Sequence, residues 1–300
     1  MTISGFTFVR NGIRLHYPFV ESIQSMLPLC DEVVVAVGQS DDGTLEAIRA
    51  LGSPKIRIIE THWDEHLRKG GQVLAQQTNI ALDAIQGDWG LYLQSDEVLH
   101  EQDYDVILTA AHNYLHDLRV DGLLFSWYNF YGNYFHIVKP GTRGAYHYEV
   151  RIIRNDKSIR SYRDAQGFRK FSSPADYHAG KRGRKLRVKK IPAHIYHYSK
   201  VRGPEKEMQR IREFKKLWHD DDWIEKNLQG QTAFEYQGRR LLVPFQGTHP
   251  AVMQERISQL NRPFVYDASR VKLSLKDRLL NWIEQTTGWR PFSFKNYIIC

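Results

Sequence analysis

Two rhythms of apolar residues alternate along the first hundred positions. FTFVR (6–10), VVVAV (33–37), KIRIIE (55–60) and WGLYLQ (89–94) are short runs rich in β-branched and aromatic residues, the pattern of strands covered on both faces. Between them, Phe19, Ile23, Met26 and Leu27, then Leu45, Ile48 and Leu51, then Val73, Ile80 and Ala84 recur at helical spacing. Asp42 in SDDGT is placed to cap the second of these helices. Strand alternating with helix predicts right-handed crossovers and an α/β fold with a mostly parallel central sheet. The rhythm then loosens. GLLFSWYNFYGNYF (122–135) and EVRIIR (149–154) predict further strands, SYRDAQGFRKF (161–171) a loop and KRGRKLRVKK (181–190) a solvated basic loop. Pro204 opens a helix with Met208, Ile211 and Phe214 on one face.

The fourth apolar run stops at two acids, Asp96 and Glu97. In open α/β sheets ligands lie beyond the carboxyl ends of the strands, where these acids fall. The competing expectation is that they open the next helix, whose apolar face is Tyr104, Ile107, Leu108, Ala111 and Leu115.

Charge adds a partner class. A net charge of +8 over 300 residues points to an anionic partner, whether a nucleotide, a membrane surface or a nucleic acid. The basic run contains no aromatic residue, which argues against a single-strand nucleic-acid groove. No apolar run approaches the roughly 20 residues that span a bilayer, and MTISGFTFVRNG lacks the layout of a secretion signal, so a cytoplasmic protein is expected. Cys30 and Cys300 are expected as free thiols. Near the end, Ser274 is placed to cap a helix with Leu275, Leu279, Trp282 and Ile283 on an apolar face and Lys276 and Arg278 outside it. Such a helix either lies in a membrane interface, as a peripheral contact, or packs on its own domain.

In this order, FVRNGIRLHYPFVESI, VVVAVGQSDDGTLEAI and RKGGQVLAQQTNIALDAIQGDWGLYLQSDE resemble the family-two glycosyltransferases of the GT-A fold. The resemblance covers residues 4 to 200 and implies a GT-A-like domain over 1–200 with a mainly helical extension over 201–300. It implies a hexosyltransferase-like enzyme that moves a sugar from a nucleotide-sugar donor to a saccharide or lipid-linked saccharide, metal-assisted and inverting, in the assembly of a surface glycan. Gln94 stands where the family's metal signature carries its first acid. By resemblance Asp96 binds a divalent cation, Mg²⁺ or Mn²⁺, with Glu97 as a second acid and His197, or its rival His194, completing the site. Such ions prefer hard oxygen ligands and neutralise a departing diphosphate. Arg10, Asn11, Gln39, Arg68, Lys69 and Gln94 are the implied donor contacts, Gly38 and Gln39 replacing an acid common in the family. Asp164 is the implied base, with Glu149 and Asp156 as competitors. The neighbouring Arg160, Arg163 and Arg169 are expected to keep Asp164 ionised. A nucleotidyltransferase is the rival enzyme, although FVRNGIRLHYP is a poor match for its Gly-rich phosphate loop. A pseudoenzyme that binds sugar nucleotides without turnover is the other alternative.

Overall fold

The computed structural model describes residues 1–64, 67, 69–165, 167–260 and 264–300. The first half builds β1 (Ile3–Val9), α1 (Phe19–Met26), β2 (Glu32–Gly38), α2 (Thr44–Arg49), β3 (Ile56–Thr61), α3 (Gln72–Ala84) and β4 (Trp89–Tyr92). Its strands run parallel in the order β3-β2-β1-β4. The run VVVAV is buried on both faces because alternate side chains enter different cores. Val33, Val35 and Val37 pack with α1 residues Phe19, Ile23 and Met26, while Val34 and Ala36 pack with Ala81 and Leu82 of α3. Asp42 is not the N-cap of α2, a position that Gly43 takes in the left-handed conformation with no side-chain cap; one residue earlier, Asp42 accepts from the Thr44 backbone N–H through Oδ1 at 3.1 Å and from the Arg14 N–H through Oδ2 at 2.7 Å.

The next stretch forms β5 (Glu97–Leu99), α4 (Tyr104–Asn113), β6 (Gly122–Tyr131), β7 (His136–Val138), β8 (Tyr148–Arg154), β9 (Ile159–Ser161), β10 (Phe168–Lys170), α5 (Pro174–His178) and β11 (Arg184–Lys200). The α/β architecture is as expected, but the sheet is mixed rather than mostly parallel. β8 inserts antiparallel between β4 and β6, and β11 then runs parallel to β6. Two local expectations are also corrected. Glu97 opens a short strand paired with β11, not a helix. The basic run belongs largely to β11, where Leu186 and Val188 are fully buried and the intervening Lys185 and Arg187 are not; the strand's period of two satisfies both the core and the charge.

The last hundred residues carry α6 (Pro204–Lys215), α7 (Asp221–Leu228), β12 (Leu242–Pro244), α8 (Gln254–Ser258), α9 (Leu275–Thr287) and β13 (Tyr297–Ile299). They are not helical alone: β12 pairs with β7, and β13 adds in parallel to β11. No helix among the described residues is long and apolar enough to cross a membrane. Cys30 is buried and Cys300 exposed, both as free thiols.

Candidate functional site

A cleft of about 740 Å³ opens at the carboxyl end of β1 and β4. Its floor is the turn between β4 and β5. Ser95 Oγ donates to the Phe8 carbonyl at 2.8 Å, and the Tyr198 N–H donates to the Asp96 carbonyl at 2.8 Å, so β1 and β11 both hold the turn. Asp96 and His197 thereby meet, with Oδ2 and Nε2 3.5 Å apart. The Asn129 amide donates to the Tyr146 carbonyl at 2.8 Å, which leaves its Oδ1 facing His197 Nδ1 at 3.1 Å. Nδ1 therefore donates to Asn129, a backing contact common behind metal-binding histidines, and Nε2 is turned towards Asp96. Trp127 supports the imidazole at 4.6 Å between ring centres. Burial alone would raise the Asp96 carboxyl. The His197 ring, with Arg202 and Arg210, reverses this and holds it well below the usual carboxylate range.

The two acids of the signature part company. Asp96 faces the cleft, whereas Glu97 is fully buried and gives both oxygens to Arg151 at 2.7 Å. Arg151 in turn lies between the rings of Tyr92 and Trp127. Glu97 is thus engaged inside the sheet and is not brought to the cleft. His194 is also excluded: three residues from His197 on a strand, it faces the other side and stacks on Tyr128 at 4.5 Å. Among the described residues no cluster of three or more His, Cys, Asp or Glu could hold a metal. Asp96 and His197 do fit a hard divalent ion as a pair, since such ions commonly take one or two protein ligands and complete their shell with substrate phosphates and water.

Asp164 and Glu149 line the same cleft. Asp164 sits on a strained turn, with Arg163 and Ala165 on either side at φ 56° and 57°, a conformation that side-chain-bearing residues adopt at a cost of about 1–3 kcal/mol. Gln94 reaches towards this turn, its Nε2 lying 3.5 Å from the Ala165 carbonyl. Burial pushes the Glu149 carboxyl up to about 8; Arg151 opposes that rise, and the charges of Glu97 and Asp164 add to it. The arginines expected around Asp164 are engaged elsewhere. Arg160 pairs with Asp83 at 2.7 Å, Arg169 donates to Tyr162 and the Gly183 carbonyl, and Arg163 lies over the Tyr162 ring. Asp156 is held by Ser158 Oγ at 2.7 Å and by Lys170, away from the cleft.

Opposite lies an aromatic wall. Arg10 rests over the Trp63 ring at 5.3 Å and donates from Nε to the Gln39 carbonyl at 3.2 Å. Arg10 and Asn11 line the cleft; Gln39 is exposed and contributes through its carbonyl. Asn11, at φ 52°, donates its N–H to Ser40 Oγ at 2.9 Å. The glycine at position 38 now has a reason: a Cβ there would lie 2.3 Å from Trp63 Nε1. That indole nitrogen is buried without a hydrogen-bond partner among the described residues. Arg68 lies outside the described residues, and of Lys69 only the backbone is described.

The chain beyond β11 closes the cleft. Arg210, Phe214, Leu217 and Trp218 line it. Lys200, Arg202 and Arg210 converge on the buried Glu207, with Arg202 Nη1 and Arg210 Nη2 each at 2.8 Å from its oxygens. Of these cations Arg210 lines the cleft, and it makes this end suited to an anion. Trp63, Trp127, Arg210 and Trp218 escape sequence reading. Trp127 and Asn129 had a signal, because a strand through 122–131 puts alternate residues on one face. Arg210 and Trp218 had none, since only the return of the chain over the sheet brings them in.

No protein-family model matches the chain, and no curated protein matches it. Among solved structures it is similar to S. aureus TarS, at 17% identity and a TM-score of 0.39, over 71% of this chain and 39% of that one. It also resembles TarS 1-349 in complex with UDP-GlcNAc, at 17% identity and a TM-score of 0.38, over 71% of this chain and 65% of the other. A third similarity is to glucosyl-3-phosphoglycerate synthase from Mycobacterium tuberculosis in complex with Mn²⁺, UDP and phosphoglyceric acid, at 20% identity and a TM-score of 0.30, over 43% of each chain. The chain thus spans less than two thirds of the length of each of these structures. At these scores the likeness is loose, and the chemistry of this chain is read from its own cleft.

Proposed function

We propose that the chain is a glycosyltransferase that moves a sugar from a nucleotide-diphosphate donor to a saccharide acceptor with inversion, in the assembly of a surface glycan. The observation that carries this reading is the cleft itself. The Asp96–His197 pair and Arg210 stand at one end, suited to a diphosphate, and the carboxyls of Asp164 and Glu149 line the same space. In the proposed reaction the acceptor oxygen attacks the anomeric carbon and gives its proton to Asp164. The bond from that carbon to the diphosphate breaks, and its electron pair leaves with the phosphate oxygen. A divalent ion held by Asp96 and His197 would neutralise the charge that accumulates there. Arg210 reinforces that neutralisation, while Trp63 and Arg10 offer a face for the nucleoside. Glu149, with its carboxyl at about 8, holds its proton at neutral pH and acts as a hydrogen-bond donor in the cleft. That leaves Asp164 as the base.

The test pairs binding with turnover. Calorimetry across nucleoside diphosphates should find one whose binding requires Mn²⁺, and Asp96→Asn should weaken that binding at least severalfold without unfolding the protein. Asp164→Asn should leave it intact while transfer falls by about 10²–10⁴-fold, the usual loss for a positioned base. Binding untouched by Asp96→Asn would remove the ion site. Transfer within a few fold of wild type in Asp164→Asn would remove the base. Pyrophosphate-dependent exchange in place of nucleoside diphosphate release would instead make the chain a nucleotidyltransferase, and binding with no transfer at all a pseudoenzyme.

A further inference from the structure

α9 is mounted with its polar face inward. Asn281 Oδ1 accepts from the Arg143 N–H at 2.9 Å, and the buried Glu284 accepts from Arg290 Nη1 at 2.8 Å and lies 3.3 Å from His147 Nδ1. With Leu280, these residues fasten the helix to the body. The apolar stripe points the other way: Leu275, Leu279 and Trp282, at i, i+4 and i+7, are 83%, 56% and 63% exposed. A helix that serves only its own domain buries that stripe. At 100° per residue Lys276 and Arg278 fall on its two flanks, and both are exposed. Just beyond the helix Trp289, Phe292 and Phe294 are exposed too, Phe292 to 92%.

From Arg270 onward the exposed charged side chains are all cationic. Arg270, Lys272, Lys276, Arg278 and Lys295 are exposed, whereas Glu284 is buried and Asp277 is half-buried, accepting from Ser274 Oγ at 2.7 Å. A tryptophan-bearing apolar stripe fringed by cations suits the boundary of an anionic bilayer, where the stripe enters the acyl region and the cations meet lipid phosphates. It suits a second copy of the chain poorly, because a symmetric pair would set the cationic fringes against each other.

We infer that α9 and the segment after it dock this protein on an anionic membrane surface. The docking face is tied to the cleft. Arg143, Ala145 and His147, all held by α9 or Arg290, lie in the stretch that supplies Tyr146 and Glu149 to the cleft wall. A bilayer bound here lies beside that wall, which identifies the acceptor as a lipid-anchored saccharide; this last step rests on the transferase reading, and the membrane contact does not.

The experiment is co-sedimentation of the full chain with phosphatidylcholine vesicles, with and without phosphatidylglycerol. Wild type should pellet with the anionic vesicles. Joint substitution of Leu275→Ser, Leu279→Ser and Trp282→Ser should lower partitioning at least about tenfold with an unchanged thermal midpoint, since all three side chains are exposed. Lys276→Glu with Arg278→Glu should abolish the preference for the anionic vesicles. Equal pelleting of wild type and the triple variant overturns the inference, as does equal binding of wild type to both vesicle types. A lipid-free dimer in sedimentation velocity that the triple variant loses would also overturn it, in favour of a second copy. Mn²⁺-dependent nucleotide binding, measured on the same proteins, should be unchanged. If wild type binds vesicles but no nucleotide, the transferase reading fails and the membrane inference stands.

Discussion

Asp164 and Glu149 share a cleft, and burial sets Glu149 apart. Glu149 titrates near 8 in the folded protein against 4.5 for a solvated glutamate, chiefly through burial. A carboxyl raised on folding contributes stability that is fully present below its unfolded value and lost as pH rises through the folded one. Glu149→Gln removes that dependence. Relative to wild type, the variant's midpoint in scanning calorimetry should therefore rise between about pH 5 and pH 9. A flat difference across that range would mean that Glu149 is already ionised in the fold. The sequence offered both carboxylates, and the raised carboxyl of Glu149 depends on burial, which no local pattern encodes.

The unit formed by β5 and β8 explains why the two acids of the signature differ. Asp96 lies in the turn that precedes β5 and reaches the cleft, while Glu97 is the first residue of β5 and enters the sheet to meet Arg151. That ion pair is fully buried, with Glu97 at 0% and Arg151 at 1% exposure. Removing one partner of such a pair leaves an uncompensated charge and typically costs 3–5 kcal/mol. Glu97→Gln should lower unfolding stability by about that amount in urea titrations, and Glu97→Gln with Arg151→Met should recover a large part of it. Nucleotide binding per folded molecule should survive in Glu97→Gln. Its loss with stability unchanged would return Glu97 to the ion site. His194 and His197 were both legible as candidates, and their opposite faces became decidable only once 184–200 was seen to be one continuous strand.

At the scale of the whole molecule, three distant segments meet at Gly71. Its N–H donates to the Leu217 carbonyl at 3.2 Å, and a Cβ there would lie 2.9 Å from Asp164 Cβ and 3.2 Å from Trp218 Cζ2. Its φ of 67° is also unfavourable for any other residue. Gly71→Ala should destabilise the protein by about 1–3 kcal/mol. Because the displaced neighbour is the Asp164 turn, it should also lower transfer more than it lowers donor affinity, read as kcat against calorimetric Kd. Unchanged kcat in a destabilised variant would show that the turn re-forms without the glycine.

What the sequence by itself determined is what short-range periodicity can carry: the parallel strand and helix units of the first half, the strand-end position of Asp96 and the apolar stripe of α9. Period two and period 3.6 are set by backbone geometry, so a single strand or helix announces itself locally. Partners across the fold announce nothing. The antiparallel insertion of β8, the pairing of Asp96 with His197, the burial of Glu97 on Arg151 and the entry of Arg210 and Trp218 into the cleft all join residues far apart in the chain. The outward face of α9 belongs with them. Its stripe was visible as a pattern, but whether the stripe or the polar face of Asn281 and Glu284 met the body was decided by Arg143, His147 and Arg290, whose hydrogen bonds exist only once the chain has folded.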